Sequence, residues 1–273
     1  MGTEKQEPAA RPERERGEVV RDVLRWLYLP YTWIVFAPFL LVTTLFWGGM
    51  AVATGLISPR LAHHCGTVWA WCLCKANFTL VQVRGRQHAA KGQSYVIMSN
   101  HQSHFDILAF YGHWHRQFRW VMKQELRRVP GLGAGCAAVG HIFIDRSDRQ
   151  KAIASLKAAA PLLAGGTSVM FFPEGTRSLD GRLGEFKKGG FMMALDLGLP
   201  ILPVSISGSR HVLPGKTKKL LPGFVRIKIH EPIDIRRYSH EQREQLMADV
   251  AAVIRSGLTP WEQTAAPTGT AQV

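Results

Sequence analysis

The 273-residue sequence predicts an α/β fold in which a mixed, mostly parallel sheet is covered by helices and preceded by an apolar helical segment. Three observations carry this reading. Seven short apolar runs, rich in β-branched and aromatic residues, recur at 79–83, 95–98, 118–122, 141–144, 168–172, 201–207 and 225–230. Helical patterns lie between them, which is the rhythm of an α/β sheet. Upstream, residues 26–59 hold no charged side chain and are dense in Trp, Tyr, Phe, Leu and Val.

In chain order, residues 1–20 are charged, carry Pro8 and Pro12 and lack aromatics, so they bury too little to offset the entropy of ordering and are expected to be mobile. Residues 21–76 form the apolar helical segment. Residues 77–258 form the α/β domain, whose strands are so apolar that both sheet faces are expected to be covered. Within it, Ile153, Leu156, Ala160 and Leu163 fall at helical spacing, as do Phe191, Leu195 and Leu197, and a polar-faced helix is expected over 240–255. Residues 259–273 read as a second mobile tail.

The uncharged run is long enough to enter a membrane. As one helix it would extend roughly 51 Å, beyond a hydrocarbon core of about 30 Å, while two full spans need about 40 residues and a turn. Pro38 and the pair Gly48 and Gly49 are candidate bends. Arg11, Arg14, Arg16, Arg21 and Arg25 precede the run, and Arg60, Lys75, Arg84 and Arg86 follow it. Both flanks therefore prefer the cytoplasm, which favours a helix pair dipping into the cytoplasmic leaflet of a bacterial inner or plasma membrane. One tilted spanning helix is the alternative.

Lysine and arginine total 34 against 20 acidic residues, a net +14 that calls for an anionic partner. The tryptophans concentrate in the apolar run, away from the basic residues, which argues against nucleic acid. Lys216, Lys218, Lys219, Arg226, Lys228, Arg236 and Arg237 instead suit a membrane-facing skirt, with ordinary solubility charge as the other reading. Four cysteines, with one residue between Cys72 and Cys74, suit reduced apolar thiols and offer no zinc spacing.

Chemistry gathers where strands end. After the run at 95–98 come Ser99, Asn100, His101, Gln102, Ser103, His104, Phe105 and Asp106, a polar turn opening an apolar helix, with Ser103 as a candidate N-cap. A histidine five residues before a carboxylate can fold back and donate one ring N–H to it, leaving the other nitrogen as a general base. The plainer alternative makes His101 a capping residue and gives Asp106 to the helix dipole. A second strand end supplies Glu174, Gly175, Thr176 and Arg177, where glycine permits a tight turn and the guanidinium suits phosphate. A third supplies Asp145 and Arg146. Lys187 and Lys188 follow as phosphate contacts or, by preference, a solvated face. His104 is expected on the solvent side.

Four blocks in order resemble the glycerolipid acyltransferase family, in its branch acting on 1-acyl-sn-glycerol 3-phosphate. They are Asn100 and His101 with Asp106, 140–146 (GHIFIDR), 172–178 (FPEGTRS) and 199–204 (LPILPV), and the stretch beginning Lys123, Gln124 and Glu125 also matches. The resemblance spans about residues 80–230. It implies that His101 deprotonates the sn-2 hydroxyl of lysophosphatidic acid, which attacks an acyl-CoA or acyl-carrier-protein thioester, while Asp106 orients the imidazole. It implies binding of the glycerol phosphate by Glu174, Gly175, Thr176 and Arg177, with Arg146 and Lys123 as further contacts. Neither metal nor resident cofactor is implied.

Overall fold

The computed structural model describes residues 11–145, 149–163 and 165–264. Its helices are α1 (Arg11–Tyr31), α2 (Ala37–Gly55), α3 (Pro59–Ala76), α4 (Phe105–Trp114), α5 (Leu132–Val139), α6 (Arg149–Ala159), α7 (Gly189–Leu197), α8 (Ser209–Val212), α9 (Arg243–Ser256) and α10 (Pro260–Gln263). Its strands are β1 (Thr79–Arg84), β2 (Val96–Ser99), β3 (Phe118–Lys123), β4 (Ile142–Ile144), β5 (Ser168–Phe171), β6 (Ile201–Ser207) and β7 (Gly223–Ile229). All seven expected strands are present, joined in one sheet of order β1-β7-β6-β2-β5-β3-β4.

Every pairing is parallel except β6 with β7. The sheet is thus mixed and mostly parallel, as the apolar runs require. In β2, β5 and β6 every residue is buried. Alternate side chains serve two cores: Ile97, Met170 and Leu202 meet Phe110, Phe118 and Leu73 on one face, while Val96, Met98 and Val169 meet Phe191, Leu246, Val250 and Ile254 on the other. By contrast β7 alternates buried and exposed positions, because one of its faces is open.

The parallel strands β6, β2, β5, β3 and β4 all end at one sheet edge. Since β1 and β7 run the opposite way, β1 begins at that edge, so the chain arriving from α3 enters beside the strand ends. Asn77 pins this entry by donating from Nδ2 to the Leu221 carbonyl and Thr79 Oγ1, both at 2.9 Å, and Tyr31 donates to the Ala76 carbonyl at 2.6 Å.

The segment upstream is a helix pair. From Arg11 to Gly55 the chain stays helical and widens to a π turn over Thr32–Phe36. Pro38, which offers no N–H to the carbonyl four residues back, accounts for the irregularity there, whereas Gly48 and Gly49 lie inside regular helix. Gly48 faces the Gly131 carbonyl, and a Cβ on Gly55 would lie 2.9 Å from that of Ala138, so small residues let α2 close on α5. The other faces are bare: Leu27, Ile34 and Leu56 are 73, 74 and 87% exposed.

Two expectations change at the ends. Helix replaces the expected unstructured tail from Arg11 onward, continuous with the apolar helix behind it, while residues 1–10 lie outside the described residues. At the other end 260–263 is helix α10, not a loose tail. Trp261 Nε1 donates to the Asp180 carbonyl at 3.3 Å, and the Arg182 guanidinium lies 4.3 Å from the indole centroid. Thr259, Pro260 and Glu262 spell a capping box with proline at the first helical position, a legible start signal that composition outweighed. Residues 265–273 lie outside the described residues.

Candidate active site

The β2 end carries the first half of the site. Asn100 Nδ2 donates to the Ile206 carbonyl and its Oδ1 accepts from the Ile206 N–H, both at 2.8 Å, locking the β2 exit to β6. The next residue leaves the sheet. His101 Nδ1 lies 2.8 Å from Asp106 Oδ2, and since a carboxylate only accepts, Nδ1 is the donor and Nε2 presents its lone pair. The same oxygen accepts the backbone N–H of Gln102 at 2.7 Å and of Ser103 at 2.8 Å. Asp106 is fully buried, so three donors converge on an oxygen that water does not reach. Such charge-assisted bonds are the strong ones.

The competing assignment, with His101 as a cap, does not describe this geometry. Capping of α4 falls to Ser103, as expected: its Oγ accepts the Phe105 N–H at 3.0 Å and donates to the Leu213 carbonyl at 2.6 Å, while His104 makes no side-chain cap bond. His104 is exposed, as expected; even so, crowding around its ring, followed by the charges of Arg177 and His101, lowers its pKa to about 4.

The β5 end supplies the second half and grips the first. Glu174 Oε1 accepts the His101 N–H at 2.7 Å and its Oε2 accepts the Gly184 N–H at 3.0 Å. The His101 carbonyl in turn accepts the Ser178 N–H at 2.8 Å. Both backbone groups of the histidine are therefore held by the 172–178 loop. Glu174 is 4% exposed, and burial pushes its pKa up to about 8 against the pull of its two N–H donors. Its carboxylate faces inward, not toward a substrate surface.

The Phe172 ring stacks on the His101 imidazole with centroids 3.8 Å apart and planes 9° from parallel, and Trp120 backs Phe172 at 5.4 Å. This stack fixes the imidazole plane. A Phe at a strand end gives no sign of it in the sequence.

Gly175 has φ +73°, a backbone conformation that favours glycine, and a Cβ there would meet only the flexible end of Lys187, 3.0 Å from its Cδ. Lys187 thus lies over the loop instead of on a remote face, while Lys188 does turn away, pairing with Glu244 at 3.1 Å. Thr176 is exposed and Arg177 half-buried. Lys123 ends β3 and is exposed, two strand spacings or about 10 Å along the edge from β2. Arg146 follows the end of β4 and lies outside the described residues.

Residues 80–207 match the family model described as Acyltransferase. The crystal structure of the 1-acyl-sn-glycerophosphate acyltransferase PlsC from Thermotoga maritima is similar at 30% identity and a TM-score of 0.72, covering 87% of this chain and 95% of that one. A 1-acyl-sn-glycerol-3-phosphate acyltransferase of Chlamydomonas reinhardtii is 34% identical over 74% of this chain and 60% of its own. An uncharacterized acyltransferase of Schizosaccharomyces pombe is 31% identical over 76% of this chain and 78% of its own. The chain spans about half to three fifths of the first curated relatives it matches.

Proposed function

We propose, on the premise that this chain belongs to the acyltransferase family, that it transfers a fatty acyl group from acyl-CoA or acyl-carrier protein to the sn-2 hydroxyl of 1-acyl-sn-glycerol 3-phosphate, giving phosphatidic acid. The observation that carries this reading is the 2.8 Å bond from His101 Nδ1 to buried Asp106, which leaves Nε2 as the free base beside the 172–178 loop.

In this mechanism the acceptor hydroxyl gives its proton to Nε2 as its oxygen attacks the thioester carbonyl. The tetrahedral centre then collapses, the carbon–sulfur bond breaks, and the imidazolium returns the proton to the departing thiolate. Asp106 stabilises the imidazolium during the interval between these transfers. No acyl-enzyme is needed, because the thioester is already activated and alignment supplies the remainder. Arg177 holds the acceptor phosphate through its planar fork, with Lys187 close by, and the backbone around Gly175 and Thr176 shapes the floor. Lys123 and Arg146 serve as outer phosphate contacts. Glu174 works from behind as the residue that fixes the His101 backbone.

The acceptor is reached from a lipid surface. The helical run Val19–Gly55, at 37 residues roughly 55 Å long, exceeds one bilayer crossing, whereas an α2–α3 pair with bare apolar faces suits insertion into one leaflet. Lys218 lies 5.6 Å from the Trp33 ring and Lys219 5.8 Å from that of Trp26, so cations and interfacial aromatics share one margin of α1 and the π turn that follows it. Each such cation adds about 1 kcal/mol toward anionic lipid. On this reading the protein sits on the cytoplasmic face of its membrane.

The test is an acceptor panel with the purified protein and labelled acyl-CoA or acyl-carrier protein, with His101→Ala as the blank. Consumption of lysophosphatidic acid ahead of other lysophospholipids and lyso-amino-acid lipids supports the assignment. Preference for an acceptor without a phosphomonoester redirects it to another lysolipid, and turnover equal to the blank makes the protein a lipid-binding relative.

A further inference from the structure

We propose that Glu262 is a positioning residue for the catalytic turn, acting through the side chain of Gln102. The proposal rests on the catalytic reading of His101 and Asp106. Gln102 follows the histidine, is 1% exposed, and uses both its ends inside the protein. Its backbone N–H donates to Asp106 Oδ2 at 2.7 Å, while its side-chain Nε2 donates to Glu262 Oε1 at 2.8 Å and to the Gly181 carbonyl at 3.2 Å. Rotation of the peptide that carries this N–H would pull the amide side chain from its two acceptors. Glu262 therefore holds the donor that holds Asp106.

Capping of α10 does not by itself account for the arrangement. The capping box uses Oε2 alone, which accepts the Thr259 N–H at 2.9 Å and the Thr259 hydroxyl at 2.7 Å. Oε1 is left over and points 160 residues back along the chain, to Gln102. Glu262 is 3% exposed, and burying a carboxylate is costly unless donors surround it, so a four-residue helix with no link to the catalytic turn would have little reason to sink one here. Trp261, held by the Asp180 carbonyl and covered by Arg182, carries the glutamate to this depth. Asp180 and Arg182 belong to the loop that continues from residues 172–178, so the C-terminal helix ties both halves of the site together.

The experiment compares Glu262→Ala, Glu262→Gln, Thr259→Ala, Gln102→Ala and the Glu262→Ala/Gln102→Ala pair in the full chain, reading kcat, KM for both substrates and Tm. Positioning predicts that Glu262→Ala and Gln102→Ala each lower kcat about tenfold with both KM values within twofold, and that the pair is no worse than the poorer single variant. Glu262→Gln, with its one oxygen toward Gln102 and its NH2 toward the Thr259 hydroxyl, retains kcat within threefold while losing the Thr259 N–H bond and some Tm, and Thr259→Ala lowers Tm with kcat unchanged. A folded Glu262→Ala protein with kcat within twofold of wild type overturns the proposal, as does additivity in the pair. If Glu262→Ala does not fold, Gln102→Ala decides alone, on the same twofold criterion. An active Asp106→Asn protein would instead remove the catalytic reading beneath it.

Discussion

Replacing Asp106 with Asn probes the centre of the site while keeping its shape. The asparagine oxygen can still face the N–H groups of Gln102 and Ser103, now at 2.7 and 2.8 Å from the carboxylate, so the turn should hold. What changes is the partner of His101. A hydrogen bond to a charged group is worth about 1.5–3 kcal/mol, and this one strengthens when the imidazole takes a proton from the acceptor. Losing about 3 kcal/mol from the transition state alone slows the reaction roughly 150-fold. The amide oxygen that keeps the Gln102 and Ser103 N–H groups also keeps the His101 Nδ1–H, because Asp106 Oδ2 receives all three donors, so the tautomer holds and what is lost is the negative charge. We expect kcat to fall at least about 100-fold, with the melting temperature lowered by only a few degrees. The assay is thiol release from acyl-CoA in the presence of lysophosphatidic acid, run beside circular dichroism. A folded Asp106→Asn protein with kcat within tenfold of wild type would refute the general-base argument.

Arg177→Ala should raise the apparent KM for the phosphate-bearing acceptor about 10- to 100-fold, the loss of one charge-assisted contact, and leave the KM for the acyl donor nearly unchanged in initial-rate kinetics. Glu174→Gln should flatten part of the pH dependence of stability. With its pKa raised to about 8, the folded protein holds this proton more tightly than the unfolded chain, so the stabilisation is complete below about pH 4.5 and fades as pH rises through 8. Thermal melts from pH 5 to 8 should therefore show the variant gaining on wild type, and a constant difference would contradict the buried carboxyl. Gly48→Leu should unseat α2 from α5, because even a Cβ there overlaps the Gly131 carbonyl; limited proteolysis of the helix pair reads the outcome.

The sequence by itself determined the elements and the reacting groups. Strand and helix follow from local periodicity, so all seven strands were legible, and His101 and Asp106 sit close enough along the chain for their pairing to be read from spacing. Tertiary structure decided what each group faces. Glu174, read by resemblance as a substrate contact, turns inward to the His101 N–H, a partner 73 residues away that no local pattern specifies. Phe172 reads as one more strand residue until the fold lays it flat on the imidazole. The C-terminal segment shows why composition misleads at chain ends: few apolar residues implied mobility, yet a capped helix carrying Trp261 needs little area of its own when the catalytic loops already provide the surface it covers.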